Sequence, residues 1–374
     1  MGILDFPNEL LFLVAKDFSI RDLTMFRSTS SRLLSILTPH FQQLCLQDIG
    51  ELTALQWAAV RGHVELIDLA ISNGAEIDAP VRGQLEEAAL SMVDRPDYSF
   101  TCKLANDSAE TDAKDSIIRT PLFLAACCGR TKAIAFLLKL GASMQCFGGM
   151  MTPAHISARR GDIDCMEAFI TPSFDFNARG CDYSTILHEA IISGAEMVMY
   201  LLQLEGGKKL VNARASDGST PLHRVLPSSG FDNTTTSLMV ELLVQTGADI
   251  YLGNDRGDTP AHHFVRWGNV ECLQALIAAG LDFNVRGRYG QTILHAAVHA
   301  GKEIAEYLLG QEEGRRLIGV GDFYGSTPLH YALKLPSKEI VKLLKRHGAN
   351  VLLCEVPYEG NDEFLLPHTA WSLE

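Results

Sequence analysis

The chain has 374 residues, a net charge of −13 at neutral pH and 47% hydrophobic content, enough apolar surface for a long core and no basic excess for general phosphate contact. No apolar run reaches the ~18 residues of a membrane span, and the N-terminus lacks the basic flank, apolar stretch and cleavage site of a secretory leader. Nine scattered cysteines without a CxxC spacing indicate neither a disulfide framework nor a zinc site, so the expected setting is cytoplasm or nucleus, with no metal, cofactor, nucleic-acid or membrane partner.

In chain order, residues 1–48 come first. Phe6-Pro7-Asn8-Glu9-Leu10-Leu11 opens a helix with proline and acid in its first turn, a second amphipathic helix starts near Ser19, and Leu33, Leu34, Ile36 and Leu37 predict a third that Pro39 ends. The order of these residues is similar to the F-box, with Phe6 where that motif carries Leu. The resemblance implies docking on the Skp1 adaptor of a cullin-RING ubiquitin ligase through Pro7, Leu10, Leu11, Leu13, Leu23 and Phe26. The same stretch has a second use: Leu33 to Leu46 can cap the exposed apolar face of a repeat array.

Such an array follows. A phrase opened by threonine recurs eight times: TALQWAA at Thr53, TPLFLAA at Thr120, TPAHISA at Thr152, TILHEAI at Thr185, TPLHRVL at Thr220, TPAHHFV at Thr259, TILHAAV at Thr292 and TPLHYAL at Thr327. From Thr120 the threonines stand 32, 33, 35, 39, 33 and 35 residues apart, a period that signals stacked repeats. Threonine is a good N-cap and proline suits the first helical position, so each phrase predicts a helix start. Glycine then ends the first helix, as at Gly62, Gly129 and Gly161, and a second apolar helix stops at another, as in Leu140-Gly141-Ala142.

This unit closely resembles the ankyrin repeat, which implies an all-α solenoid of helix-turn-helix-hairpin units over residues 49–351. A further, degenerate unit is expected at 83–118 around Gln84 to Leu90, and Pro227 to Thr236 reads as an inserted loop. Lys208-Lys209 is expected in a solvated loop. Residues 352–374 leave the period and are expected to cap the last unit, with Phe364, Leu365, Leu366 and Trp371 as apolar contacts; a short recognition peptide is the alternative.

In arrays of this type the partner-facing positions are the hairpin tip before each Thr and the end of the first helix. Here these are Arg61, Arg159, Arg160, Arg266, Trp267 and His299, with Arg256, Arg288, Tyr289, Phe323 and Tyr324 at the tips. Arginine and aromatic residues dominate interface hot spots, so the set predicts a groove for a protein partner carrying an acidic segment. The plainer alternative is that these arginines pair with local carboxylates such as Asp162, Asp255 and Asp258.

An enzymatic reading is weaker. His155, His188, His223, His262, His295 and His330 occupy the fourth position of the phrase, where the family resemblance implies hydrogen bonding within and between units. That leaves a conceivable small-molecule or acid-base groove around Arg266, Tyr289 and His299, with no nucleophile, metal or phosphate-loop signature beside it. No catalytic residue is assigned. The expected function is a protein–protein interaction adaptor, a substrate receptor of a ubiquitin ligase, with a plain scaffold as the alternative.

Overall fold

The computed structural model describes residues 54–72, 74–79, 120–145, 151–225, 233–336 and 338–350. The F-box-like segment with Pro7, Leu10, Leu11, Leu13, Leu23 and Phe26, the further unit at 83–118 and the tail at 352–374 lie outside them. Two compact units divide the chain, one ending at Ser216 and one beginning at Asp217.

Every regular element among the described residues is helical. The first unit contains α1 (Ala54–Arg61), α2 (Val64–Ser72), α3 (Pro121–Cys127), α4 (Thr131–Lys139), α5 (Pro153–Arg160), α6 (Ile163–Phe169), α7 (Ile186–Ser193), α8 (Ala195–Gln203) and the short α9 (Glu205–Lys208). The second begins with a 3-10 turn, Pro221–Arg224. It continues through α10 (Asn233–Gln245), α11 (Pro260–Arg266), α12 (Val270–Ala278), α13 (Ile293–Ala300), α14 (Lys302–Gly310), α15 (Glu312–Arg316), α16 (Pro328–Lys334) and α17 (Lys338–Arg346).

Within the first unit α1, α3, α5 and α7 form one row, and α2, α4 and α6 form a second row against it. The helices α1 and α3, which follow Thr53 and Thr120, pack directly on each other. In the second unit α11, α13 and α16 form the corresponding row. The rows close because one stripe of each second helix is apolar: α17 buries Ile340, Leu343 and Leu344 at helical spacing, and α4 buries Ala133, Ile134 and Leu137. Burying each large aliphatic side chain contributes about 1.5–3 kcal/mol. The first helices α3, α7 and α13 are buried nearly all round, and Ala125, Ala126, Ala296 and Ala297 leave room for their neighbours.

The threonine and histidine of each phrase interlock. Thr120 Oγ1 accepts from the Phe123 amide at 3.2 Å, the expected N-cap. In four later phrases the histidine side chain completes the box: the amides of Thr185, Thr220, Thr292 and Thr327 donate to Nδ1 of His188, His223, His295 and His330 at 3.0–3.2 Å. With Nδ1 an acceptor, the proton sits on Nε2, which reaches the next hairpin. His155 meets the Ser184 carbonyl at 3.2 Å, His223 that of Asp258 at 3.0 Å, His262 that of Gln291 at 3.0 Å and His295 that of Ser326 at 2.7 Å. Burial holds the His155, His262 and His295 rings down to a pKa of about 4, so they are neutral and fixed in one tautomer.

A longer period underlies the short one. Thr152, Thr185 and Thr220 return as Thr259, Thr292 and Thr327, each time after 107 residues, and special geometry returns with them. Arg179 Nη1 donates to the carbonyls of Tyr183 and Arg214, both at 3.2 Å; its counterpart Arg286 donates to those of Gly290 and Gly321 at 2.9 and 3.0 Å. In both copies a short helix follows, α9 or α15. A Cβ on Gly207 or Gly314 would lie 2.0 Å from the carbonyl oxygen of Leu201 or Leu308, so only glycine fits.

Two local expectations change, and the helix-ending glycines take two geometries. Glu205–Lys208 is helical because Leu204 leads straight into a new turn, and Lys208 pairs with Glu205, while Lys209 follows at the helix end. Residues 233–236 of the expected inserted loop belong to α10, where the Thr236 hydroxyl donates to the Asn233 carbonyl at 2.9 Å. Gly194 and Gly301 differ from the left-handed caps at Gly161 and Gly268. Their φ values of 121° and 137°, with extended ψ, join two helices without an intervening turn.

Candidate functional site

The partner-facing positions separate into distinct neighbourhoods. In the first unit Arg159 is committed: its Nη1 lies 3.3 Å from Glu189 Oε2, with side chains only 14% and 6% exposed. Glu189 also accepts from the Ser184 hydroxyl at 2.8 Å, so this pair ties one repeat to the next. Asp162, one of the local carboxylates offered as partners, caps α6 by accepting from the Cys165 amide at 3.2 Å.

Arg61, Arg160 and Arg130, which follows Gly129, all lie within electrostatic reach of Cys128. Arg130 Nε donates to the Val60 carbonyl at 2.9 Å, and Arg160 Nη2 lies 3.2 Å from where a Cβ on Gly129 would stand. Arg61 and Arg130 line a cleft of about 600 Å³ with Lys132, Asp164 and Glu167. Burial pushes the Cys128 thiol up while the three guanidinium groups pull it down. Cys165 and Cys272 are held by burial at about 12 and about 11, as inert thiols.

In the second unit Arg256, Arg266 and Trp267 line a cleft of about 440 Å³ with Asp217, Asn254, Asp258 and His263. Asn254 shapes it: its Oδ1 accepts from the amides of Arg256 and Asp258 at 3.0 and 3.1 Å, and its Nδ2 faces His263 Nε2 at 3.2 Å. Asp258 is 1% exposed. Its Oδ1 accepts from the Arg288 amide at 3.0 Å, and its Oδ2 faces the Arg266 guanidinium at 3.1 Å. Arg266 thus pairs with a local carboxylate, while Trp267 beside it is 54% exposed. The His263 pKa is lowered, first by burial and then by Arg266, so the ring stays a neutral acceptor toward Asn254.

The hairpin tips form a third neighbourhood. Tyr289 has φ of 56°, a left-handed conformation uncommon outside glycine, and the Arg288 guanidinium stacks 4.4 Å above its ring while donating to its hydroxyl. The Phe323 amide donates to the Tyr289 carbonyl at 3.0 Å, and the Tyr289 and Tyr324 rings stand 6.3 Å apart. Tyr289, Phe323 and Tyr324 all remain exposed, Tyr324 to 66%.

His299 stands apart from this ridge. Its ring meets the edge of Tyr331 at 5.7 Å, and burial, then Arg266, lower its pKa. Of the expected grouping, Arg266 lines the cleft with Trp267, Tyr289 stands at a hairpin tip, and His299 meets Tyr331 within electrostatic reach of Arg266. Sequence reading also passed over Asp322 and Tyr331. The Tyr331 hydroxyl donates to Asp322 Oδ2 at 2.7 Å and accepts from Gln291 Nε2 at 2.9 Å, and burial with the Asp322 bond pushes its pKa to about 12. Arg130 carried one legible signal: it occupies the N-cap position that Asp162 and Asn269 fill elsewhere. Among the described residues no cluster of His, Cys, Asp or Glu forms a metal site, and no helix is long and apolar enough to cross a membrane.

Paired helices, histidine bonds to the next hairpin and exposed tips define a repeat protein built as a binding surface. Ankyrin repeats in three copies match residues 154–239, 231–317 and 290–354, and a single ankyrin repeat matches 51–81 and 119–146. The chain belongs to the ankyrin-repeat family. It is similar to the mouse B-cell lymphoma 3 protein homolog, 34% identical over 176 residues that make up 46% of this chain and 38% of that protein. It is also similar to the E3 ubiquitin-protein ligase KEG of Arabidopsis thaliana, 24% identical over 271 residues, 68% of this chain and 16% of that protein. The chain therefore spans well under half the length of these curated relatives. The solved ankyrin repeat domain of Bcl-3 aligns with a TM-score of 0.48 at 21% identity, over 70% of this chain and 99% of that domain.

Proposed function

We propose that the chain is a protein–protein interaction adaptor that holds a partner with an acidic segment along its first-helix ends and hairpin tips. The observation that carries this reading is the exposed set in the second unit: Trp267, Tyr289, Phe323 and Tyr324, accompanied by Arg256 and Arg288. Large aromatics left in water at adjacent tips are costly in a free surface and are the residue types that anchor partners. The finer reading adds a ligase link, in which the F-box-like segment engages Skp1 through Pro7, Leu10, Leu11, Leu13, Leu23 and Phe26. Its support is sequence resemblance alone.

Two pull-downs test the two parts separately. Proximity labelling from cells yields a partner list, and Trp267→Ala with Tyr324→Ala should deplete the partner while Leu10→Asp with Leu11→Asp should deplete only Skp1. Equal Skp1 recovery by wild type and the double Leu variant removes the ligase link and leaves a plain scaffold. A second reading, a small polar ligand in the cleft of Arg256, Asp258, His263, Arg266 and Trp267, follows from that cleft's volume and mixed lining. A ligand-induced thermal shift abolished by Arg256→Ala would favour it.

A further inference from the structure

In the second unit the exposed rings and two arginines fall on one continuous strip. Arg256 lines the cleft of Trp267. The hairpin that carries it abuts the next, for a Cβ on Gly257 would stand 3.7 Å from the Arg288 Cα. Arg288 lies on the Tyr289 ring, the Tyr289 and Tyr324 rings stand 6.3 Å apart, and the Phe323 ring lies so close over Gly290 that a Cβ there would meet it at 2.3 Å. No carboxylate among the described residues pairs with the guanidinium of Arg256 or Arg288. The neighbouring acids are taken: Asp258 faces Arg266, Asp322 accepts from the Tyr331 hydroxyl, Asp217 accepts from the Ser219 hydroxyl, and Asp255 is engaged as well.

The repeat does not demand these side chains. In the copy 107 residues earlier the frame is kept, with Thr152, His155, Arg179 and Gly207 for Thr259, His262, Arg286 and Gly314. At the strip positions that copy has Arg160 for Trp267, Cys181 for Arg288, Asp182 for Tyr289, Ser216 for Phe323 and Asp217 for Tyr324. The rings therefore serve the surface and not the frame. Large rings left in water gain by being covered, and arginines beside them select an acidic cover. The chain carries such a segment. Residues 352–374, outside the described residues, contain Glu355, Glu359, Asp362, Glu363 and Glu374 and neither lysine nor arginine. Apolar residues follow the acids directly, in Asp362-Glu363-Phe364-Leu365-Leu366. Extended chain from Asn350 to Asp362 reaches roughly 40 Å, and stacked helices lie about 8–10 Å apart, so that length passes the steps from α16 through α13 to α11.

We propose that residues 352–374 bind this strip in cis, with Asp362 and Glu363 toward Arg256 and Arg288 and with Phe364, Leu365 and Leu366 on the rings. A partner then reaches its surface only by displacing the segment, which closes the adaptor to weak competitors. The inference rests on the adaptor reading, because the strip it covers is the one assigned to the partner. A tethered segment acts at roughly millimolar effective concentration, so a dissociation constant of about 0.1 mM for the free peptide corresponds to about tenfold protection of the strip.

The experiment compares the full chain with full-length variants by hydroxyl-radical footprinting and site-resolved mass spectrometry at Trp267 and Tyr324. Asp362→Lys with Glu363→Lys should raise labelling of both rings about tenfold at unchanged melting temperature, and Arg256→Glu with Arg288→Glu should do the same. Joining the two pairs in one chain should restore protection, which charge complementarity requires and a loss of folding does not. A fluorescent peptide of residues 352–374 should bind the Asp362→Lys, Glu363→Lys chain about tenfold more tightly than the wild-type chain, and a scrambled peptide should bind neither. Ring labelling alike in wild type and that variant, or no restoration in the combined chain, overturns the proposal. So does a lower melting temperature in that variant with labelling raised at Leu333 alone, which assigns the segment to capping the last unit. Protection lost on dilution, with a dimer in sedimentation, also overturns it, since the segment then reaches a second copy. Should Trp267→Ala with Tyr324→Ala abolish partner capture while ring labelling is alike in wild type and the Asp362→Lys, Glu363→Lys chain, the adaptor reading stands and this inference falls alone.

Discussion

Arg286 and Gly321 are joined by a hydrogen bond of 3.0 Å from the guanidinium Nη1 to the carbonyl, and the same nitrogen reaches the Gly290 carbonyl at 2.9 Å. One side chain thus closes its own hairpin and fastens the next, as Arg179 does between the Tyr183 and Arg214 carbonyls. Hydrogen bonds from a charged donor contribute about 1.5–3 kcal/mol, so Arg286→Ala should lower stability by about that amount. Arg286→Lys should recover only part, because an ammonium lacks the planar fork. Urea titration followed by circular dichroism checks this, and a midpoint unchanged in Arg286→Ala would refute the clamp.

Acid should loosen the array before the carboxylates are protonated. His155, His262 and His295 have folded pKa values of about 4, below the ~6.5 of the unfolded chain. Between those values the unfolded chain binds protons that the folded one refuses, so stability falls as pH drops from 6.5 toward 4 and is unaffected by these rings above 7. At pH 5 the loss reaches up to about 2 kcal/mol per ring. Asp217, whose pKa is lowered, acts at more acidic pH and does not mask this window. Urea midpoints at pH 7.5, 6 and 5 should decline in order; a flat series would mean that the rings are not held neutral.

Gly207 and Gly314 should be intolerant of a methyl group. A Cβ at either position falls 2.0 Å from a main-chain oxygen that belongs to the preceding helix and has no rotamer to escape by. Gly207→Ala and Gly314→Ala should each cost at least the ~1–3 kcal/mol of an overpacked core. Gly310, with open space around it at the end of α14, is the control: Gly310→Ala should be neutral or stabilising by up to ~1 kcal/mol. Melting temperatures of the three variants, measured side by side, decide the point.

Tyr289 separates folding from binding. Its left-handed backbone costs a side-chain-bearing residue about 1–2 kcal/mol that glycine avoids. Tyr289→Gly should therefore leave the melting temperature unchanged or raised, while capture of the partner weakens with loss of the ring. Tyr289→Phe, which keeps the ring under Arg288, should bind nearly as well. A fall in melting temperature with binding intact would assign the ring to structure.

Much of the frame is legible in the residues because its causes are local. Thr292, Ile293, Leu294 and His295 lie within one helical turn, so the cap, the first-turn contacts and the histidine box form wherever that phrase occurs. The glycine after each first helix was equally readable, yet its geometry was not uniform: Gly161 ends its helix in a left-handed cap, whereas Gly194 ends one helix and starts the next without a turn. The site was legible as a set of positions and not as a set of partners. Asp258 was a candidate ion-pair partner by proximity in sequence and does face Arg266, while Arg159 passed over Asp162 for Glu189, 30 residues on.

The sequence by itself determined the repeat unit, its helical pairing and which residues belong to the frame, since those follow from spacing within a turn or a period. Only the tertiary structure decided which exposed arginines are engaged. Arg159 and Arg266 meet carboxylates, Arg288 lies on an aromatic ring, and Arg61 and Arg130 line one cleft. Long flexible side chains choose partners by distance in space, and stacking sets that distance by bringing residues about one period apart into contact.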